Sequence, residues 1–206
     1  MSAVPRSVQA TTAAEVARVE ALRTSRPNGW WGMAIFVATE ATLFGTIFGS
    51  YFYLRFRTPQ WPPTGVPEPK LTLPLVLAGV LIATSVPMQL AFQSARGGRI
   101  GATRAALLVS LVVQAGYLAM QIHLFLEDVH KISPQRTAYG SIYFTMLGAH
   151  HTHVLVGILL NAWLLLRLTR GLTNYRLVAL RSITFYWHFV NVLALLVVGA
   201  QLSPRA

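Results

Sequence analysis

Leu147-Gly148-Ala149-His150-His151-Thr152-His153-Val154-Leu155-Val156-Gly157 carries three of the chain's six histidines within four residues. The stretch lies inside an apolar run, Ser141 to Leu166, long enough to cross a bilayer as a helix. Ionisable side chains at membrane depth are costly and point inward to a partner. The histidines therefore hold a metal, move protons or lock helices together. Their spacing puts His150 and His153 on one helical face and sends His151 away from them.

The whole chain has the composition of a membrane protein. Mean hydropathy is +0.51, and only 11% of residues are charged, against roughly 25% in a soluble domain. The 206 residues suffice for one all-α transmembrane bundle of five helices. The absence of cysteine excludes disulfides, Fe–S clusters, thiolate zinc sites and cysteine catalysis. The net charge of +11 does not point to nucleic acid, because the arginines cluster at the ends of apolar runs, as membrane orientation requires. The first thirty residues lack the apolar core of a cleavable signal.

Residues 1–29 form a polar N-terminal segment, in which Thr12 to Arg23 fits a short interfacial helix and a frayed tail equally well. Residues 30–206 form the membrane domain, with spans at about 30–54, 71–95, 102–126, 139–166 and 181–202. Trp30 and Trp31 at one end of the first span, and Tyr51 and Tyr53 at the other, fit interfacial aromatic belts. Gly45 and Gly49 fit a small-residue contact face. Glu40 is the only acidic residue inside a predicted span. It serves either as a hydrogen-bonded structural group or in proton handling or lipid contact.

A proline-dense loop follows, Arg55 to Lys70. Pro87 should kink the second span. Gln121 and His123, near the end of the third, should face water. Glu127 to Thr137 reads as a short charged loop and Gly171 to Leu180 as a basic turn. Counting Lys and Arg gives 11 on the side of the N-terminus and 6 on the other. The positive-inside rule then places the N-terminus in the cytoplasm and the C-terminus in the periplasm. With that orientation Glu40, His153 and Asn191 fall in one central layer, with His188 just below and His150 above. Glu40 meets the histidine cluster if the first and fourth spans are neighbours.

Three chemistries compete for these residues. A b-type haem needs two axial histidines, which His150 or His153 could supply with His188, and Gly148 and Gly157 could lie under a porphyrin. Against this, two histidines three residues apart without a carboxylate or cysteine make a thin metal signature. An intramembrane serine protease needs a Gly-x-Ser setting that Ser50, Ser85 and Ser110 lack. A support subunit needs only polar residues that bond between helices and to lipid headgroups.

Several stretches together resemble one family. Phe36-Val37-Ala38-Thr39-Glu40-Ala41-Thr42-Leu43-Phe44, Trp61-Pro62-Pro63, Tyr139-Gly140-Ser141, the run from His150 through His153-Val154 to Gly157, and Tyr186-Trp187-His188-Phe189-Val190 occur in the order and spacing of subunit III of the haem–copper respiratory oxidases, in its five-helix bacterial form. The resemblance covers about residues 30–202.

It implies a multi-pass subunit of the bacterial plasma membrane with no redox centre of its own. Such a subunit packs against the catalytic subunit I, which holds the haems and copper, within a complex that reduces oxygen to water and pumps protons. It also binds phospholipid in a cleft between the first two spans and the remaining three, and sustains proton uptake. Glu40, His150, His153, Trp187, His188 and Asn191 would then be structural, lipid-cleft or proton-uptake residues rather than ligands.

The chain departs from the family at Asn191, where aspartate is usual. It also lacks the tryptophan expected near Ala194 and a glutamate after Gln121, and it has His151 where glycine is common. Accessory subunits of nitric oxide reductases and of quinol oxidases share the same bundle.

Overall fold

The computed structural model describes residues 27–66 and 72–202. The expected interfacial helix at Thr12 to Arg23 lies outside them. The described residues form helices α1 (Asn28–Arg57), α2 (Thr72–Ala83), α3 (Ser85–Arg96), α4 (Ile100–Lys131), α5 (Ala138–Leu168) and α6 (Asn174–Leu202). α2 and α3 are two halves of one span, so five helices are long and apolar enough to cross a membrane.

Local chemistry sets where they start and stop. α1 begins after Pro27, whose carbonyl accepts from the backbone N–H of Trp30 and Trp31 at 2.9 and 3.4 Å. α5 begins after Thr137, whose hydroxyl accepts from Gly140 N–H at 3.0 Å. The second span breaks at Thr84, three residues before Pro87. Proline has no N–H to offer the carbonyl of Ala83 and its ring crowds that turn, so the bend falls upstream of the proline itself.

Two loops are shorter than expected, because helix takes part of each. α4 runs five residues past Leu126, because Glu127 bridges His123 at 3.2 Å and Lys131 at 3.3 Å along one face. α6 starts seven residues before Arg181. The connection there is only residues 169–173, with Gly171 at φ +95°. Leu177 N–H already bonds the Thr173 carbonyl at 2.9 Å, so the next helix is under way at once.

α6 is the hub. It packs against α5, α1, α3 and α2, whereas α4 packs against α3, α5 and α2. The second span, α4, α5 and α6 form a square whose diagonal partners α4 and α6 keep their backbones apart. α1 lies outside the square against α5 and α6. Leu107, Val154, Leu180 and Trp187 are fully buried within the central cluster.

The cleft expected between the first two spans and the other three is not what the described residues form, because α1 and the second span take opposite flanks of α6. Ser182 and Tyr186 meet Gly29 and Phe36 of α1. Trp187 and Asn191, offset around the same helix, meet Thr84 and Ser85.

Two expectations for α1 are corrected as well. A Cβ added at Gly45 or Gly49 would meet nothing, so this small-residue face makes no contact inside the chain. Tyr51 is buried at 3% exposure and is no lipid-belt residue. It accepts from Trp61 Nε1 at 3.2 Å, and the Trp61 ring sits between Tyr51 and Tyr139 at 5.5 and 5.0 Å. The loop tryptophan thus pins one end of α1 to the start of α5. Gln121 is half-buried and donates to the Tyr117 hydroxyl at 3.1 Å, while His123 is exposed as expected.

Candidate functional site

The central polar residues separate into seams, each joining a different pair of helices. Glu40 and His153 join α1 to α5, with Oε2 to Nε2 at 2.9 Å and both side chains largely buried. His153 Nδ1 lies 2.7 Å from the Ala149 carbonyl, which can only accept, so Nδ1 carries a proton. The contact to Glu40 therefore needs one further proton, held on Nε2 as an ion pair or on the carboxyl as a neutral pair. Phe44 meets the imidazole edge-on at 5.2 Å.

The second seam joins the broken span to α6. The bend at Thr84 turns two hydroxyls toward α6, where Trp187 Nε1 donates to Thr84 Oγ1 at 2.8 Å. Asn191 Nδ2 donates to Ser85 Oγ at 2.6 Å, and His188 Nδ1 lies 3.2 Å from the same oxygen. Ser85→Ala removes the shared partner of His188 and Asn191. Interhelical hydrogen bonds in membranes average about 0.6 kcal/mol, so the expected loss is about 1 kcal/mol, read as a shifted midpoint in a denaturing-detergent titration.

A third seam, between α4 and α5, went unnoticed in the sequence. Asn161 Nδ2 donates to Gln114 Oε1 at 3.1 Å, and Gln114 Nε2 donates to Ser110 Oγ at 2.7 Å, all fully buried. Its signal was present as three amides and hydroxyls inside apolar runs, since such groups must face a partner.

His150 and His153 do not act as a pair. His150 is buried and its Nε2 lies 3.5 Å from the Tyr117 hydroxyl of α4. His151, on another face of α5, is buried with its ring centroid 5.9 Å from that of His150, and meets Phe125 of α4. α5 is packed on both flanks, so residues 60° and 100° apart on its surface all find neighbouring helices. Of the expected central layer, Glu40 and His153 meet directly, and Asn191 bonds on the opposite flank of α6.

Gly157 has a specific occupant. A Cβ there would lie 2.6 and 2.7 Å from two ring carbons of Trp187. The flat ring lying on this glycine is therefore the indole of α6. Among the described residues, no three His, Cys, Asp or Glu side chains gather as a metal site requires.

The family profile described as cytochrome c oxidase subunit III matches residues 23–199. The chain belongs to the cytochrome c oxidase subunit III family. It is 30% identical to the cytochrome bo(3) ubiquinol oxidase subunit 3 of Pseudomonas aeruginosa, over 80% of this chain and 79% of that one. It is 31% identical to the quinol oxidase subunit 3 of Bacillus subtilis, over 82% and 83%. With the cytochrome c oxidase subunit 3 of Papio hamadryas it shares 31% identity over 79% of its length, and spans 64% of that longer protein. Membership of this family makes the chain a multi-pass membrane protein that associates with other oxidase subunits, as a component of an oxidoreductase complex.

Proposed function

We propose that the chain is the non-catalytic subunit III of a bacterial haem–copper terminal oxidase in the plasma membrane. It packs against subunit I, which holds the haems and copper, in a complex that reduces oxygen to water and translocates protons. Phospholipid fills its exposed grooves. The observation that carries this reading is the family match over residues 23–199. The seam geometry supports it. Glu40 and His153 of the matching motifs bond each other between α1 and α5, and Trp187 and His188, with the neighbouring Asn191, bond Thr84 and Ser85 of the second span, so these residues do not converge on one centre.

The arginine and lysine distribution supports an orientation with the N-terminus in the cytoplasm and the C-terminus in the periplasm. The two bacterial relatives named for quinol oxidases favour a second reading of the electron donor, in which quinol replaces cytochrome c.

Identification of the polypeptides and metals that co-purify with the chain tests the proposal. Haem, copper and a catalytic oxidase subunit are expected. A nitric oxide reductase lacking copper as the partner would overturn it, as would a Soret band in the chain purified alone.

Within this function Glu40 and His153 have a positioning role beside proton uptake. Glu40→Gln keeps a hydrogen bond, because the new amide donates to His153 Nε2. Initial oxidase turnover should stay within about twofold of the parent. Immediate loss of turnover would place the carboxyl in the proton path itself.

A further inference from the structure

The diagonal of the helix square is filled at one level by Trp187 and is open at another. Toward the C-terminal ends of α4 and α6 it leaves a cavity of about 40 Å³, walled by α2, α4, α5 and α6 and partly open at its mouth. Ala78 and Ala194 are the small residues at this level that let it form. Its lining is not that of a dry void. Tyr117, Gln121, Asp128, His150, His151 and Gln201 all contribute to it. The Asp128 carboxylate is fixed by the Tyr143 hydroxyl, which donates to it at 2.8 Å.

Two buried ring nitrogens of lining residues, His150 Nδ1 and His151 Nε2, have no hydrogen-bond partner among the described residues. The first can be assigned a proton. The Tyr117 hydroxyl accepts from Gln121 and so has its own hydrogen available for His150 Nε2. A neutral imidazole that accepts at Nε2 donates at Nδ1. That N–H needs an acceptor, and a buried polar group left without one is heavily penalised. A water needs roughly 10–15 Å³ measured in this way and two to four polar partners. The cavity has room for two or three.

We propose that this cavity is a hydrated pocket: a file of two or three waters that enters at the Asp128 end and hydrogen-bonds His150 Nδ1 and His151 Nε2. The pocket gives these two imidazoles contact with the aqueous phase at that end of the bundle, while the Glu40–His153 pair on the α1 side of α5 stays sealed. The inference rests on side-chain geometry and holds whether the electron donor is cytochrome c or quinol.

Radiolytic footprinting of the purified native complex in ¹⁸O-water tests it, because radiolysis of a bound water labels the side chain beside it. Tyr117, in the cavity wall, and Tyr186, outside it, are equally aromatic and both buried. Tyr117 should take up label several-fold faster than Tyr186. Ala194→Phe, which adds a ring at the α6 wall of the cavity, should bring Tyr117 down to the rate of Tyr186. Equal labelling of the two tyrosines in the unaltered chain would overturn the proposal, whatever the variant does. So would a density map in which His150 Nδ1 and His151 Nε2 bond to protein groups and the cavity is empty.

Discussion

Trp187→Ala is expected to destabilise the assembled chain by about 2–3 kcal/mol. For a membrane helix the unfolded reference is already in lipid, so the usual gain from leaving water is small. What remains is the cavity. At about 24 cal/mol per Å³, an unrelaxed void of roughly 100 Å³ costs about 2.4 kcal/mol. Collapse is unfavourable here, because Trp187 is fully buried where α5, α6 and the broken span meet. The loss of the bond to Thr84 adds a few tenths more. Unfolding in a denaturing-detergent series would show it, and a variant within about 0.5 kcal/mol of the parent would mean that the neighbouring helices close on the gap.

Gly157→Val should be as damaging for the opposite reason. Its first carbon would already sit 2.6 Å from the Trp187 ring, and two methyl groups follow it. Overpacking of this kind costs about 1–3 kcal/mol and occasionally more, and the indole cannot swing away without giving up Thr84. On the same helix, a Cβ at Gly148 would meet nothing within 4 Å. Gly148→Ala should therefore be neutral or stabilising by up to about 1 kcal/mol, through helix propensity. The two large effects are coupled. A chain carrying both Gly157→Ala and Trp187→Ala should lose less than the sum of its parts, because the new methyl occupies space the indole left. Strict additivity would show that the two residues do not share a contact.

The contrast between Gly148 and Gly157 marks where the sequence stops being informative. The spans themselves were plain, because twenty apolar residues in lipid have few alternatives to a helix. Depth counting was enough to bring Glu40 level with the histidine cluster, since both rise at the same rate along their helices. It also set His153, rather than His150, in the layer of Glu40; what it left open was whether the two helices are neighbours, which depends on where α1 docks. The helix ends escaped because Glu127 with its two partners, and Thr173 beyond Gly171, extend helices by contacts that composition does not weigh. Thr84 and Ser85 were hidden among the many hydroxyls of membrane helices, although Pro87 marked the bend that turns them toward α6. His151 does lie on another face from His153, but spacing alone does not show that α4 covers that face.

The position of α1 sets the order in which the bundle can be completed. Its neighbours are α5 and α6, and the contacts that hold it, Glu40 with His153 and Gly29 with Ser182, join residues 113 and 153 positions apart. The second span and α4, by contrast, are consecutive and adjacent. During synthesis the first span thus enters the bilayer without its partners, while the second and third form a hairpin beside it. It can meet α5 once that helix has emerged, but its docking is complete only with the last helix, which brings the faces that take α1 on one flank and Thr84 and Ser85 on the other. A ribosome stalled before residue 174 would leave the first span tethered but without its α6 contacts, and Glu40 without the closed surroundings that Phe44 and α6 complete.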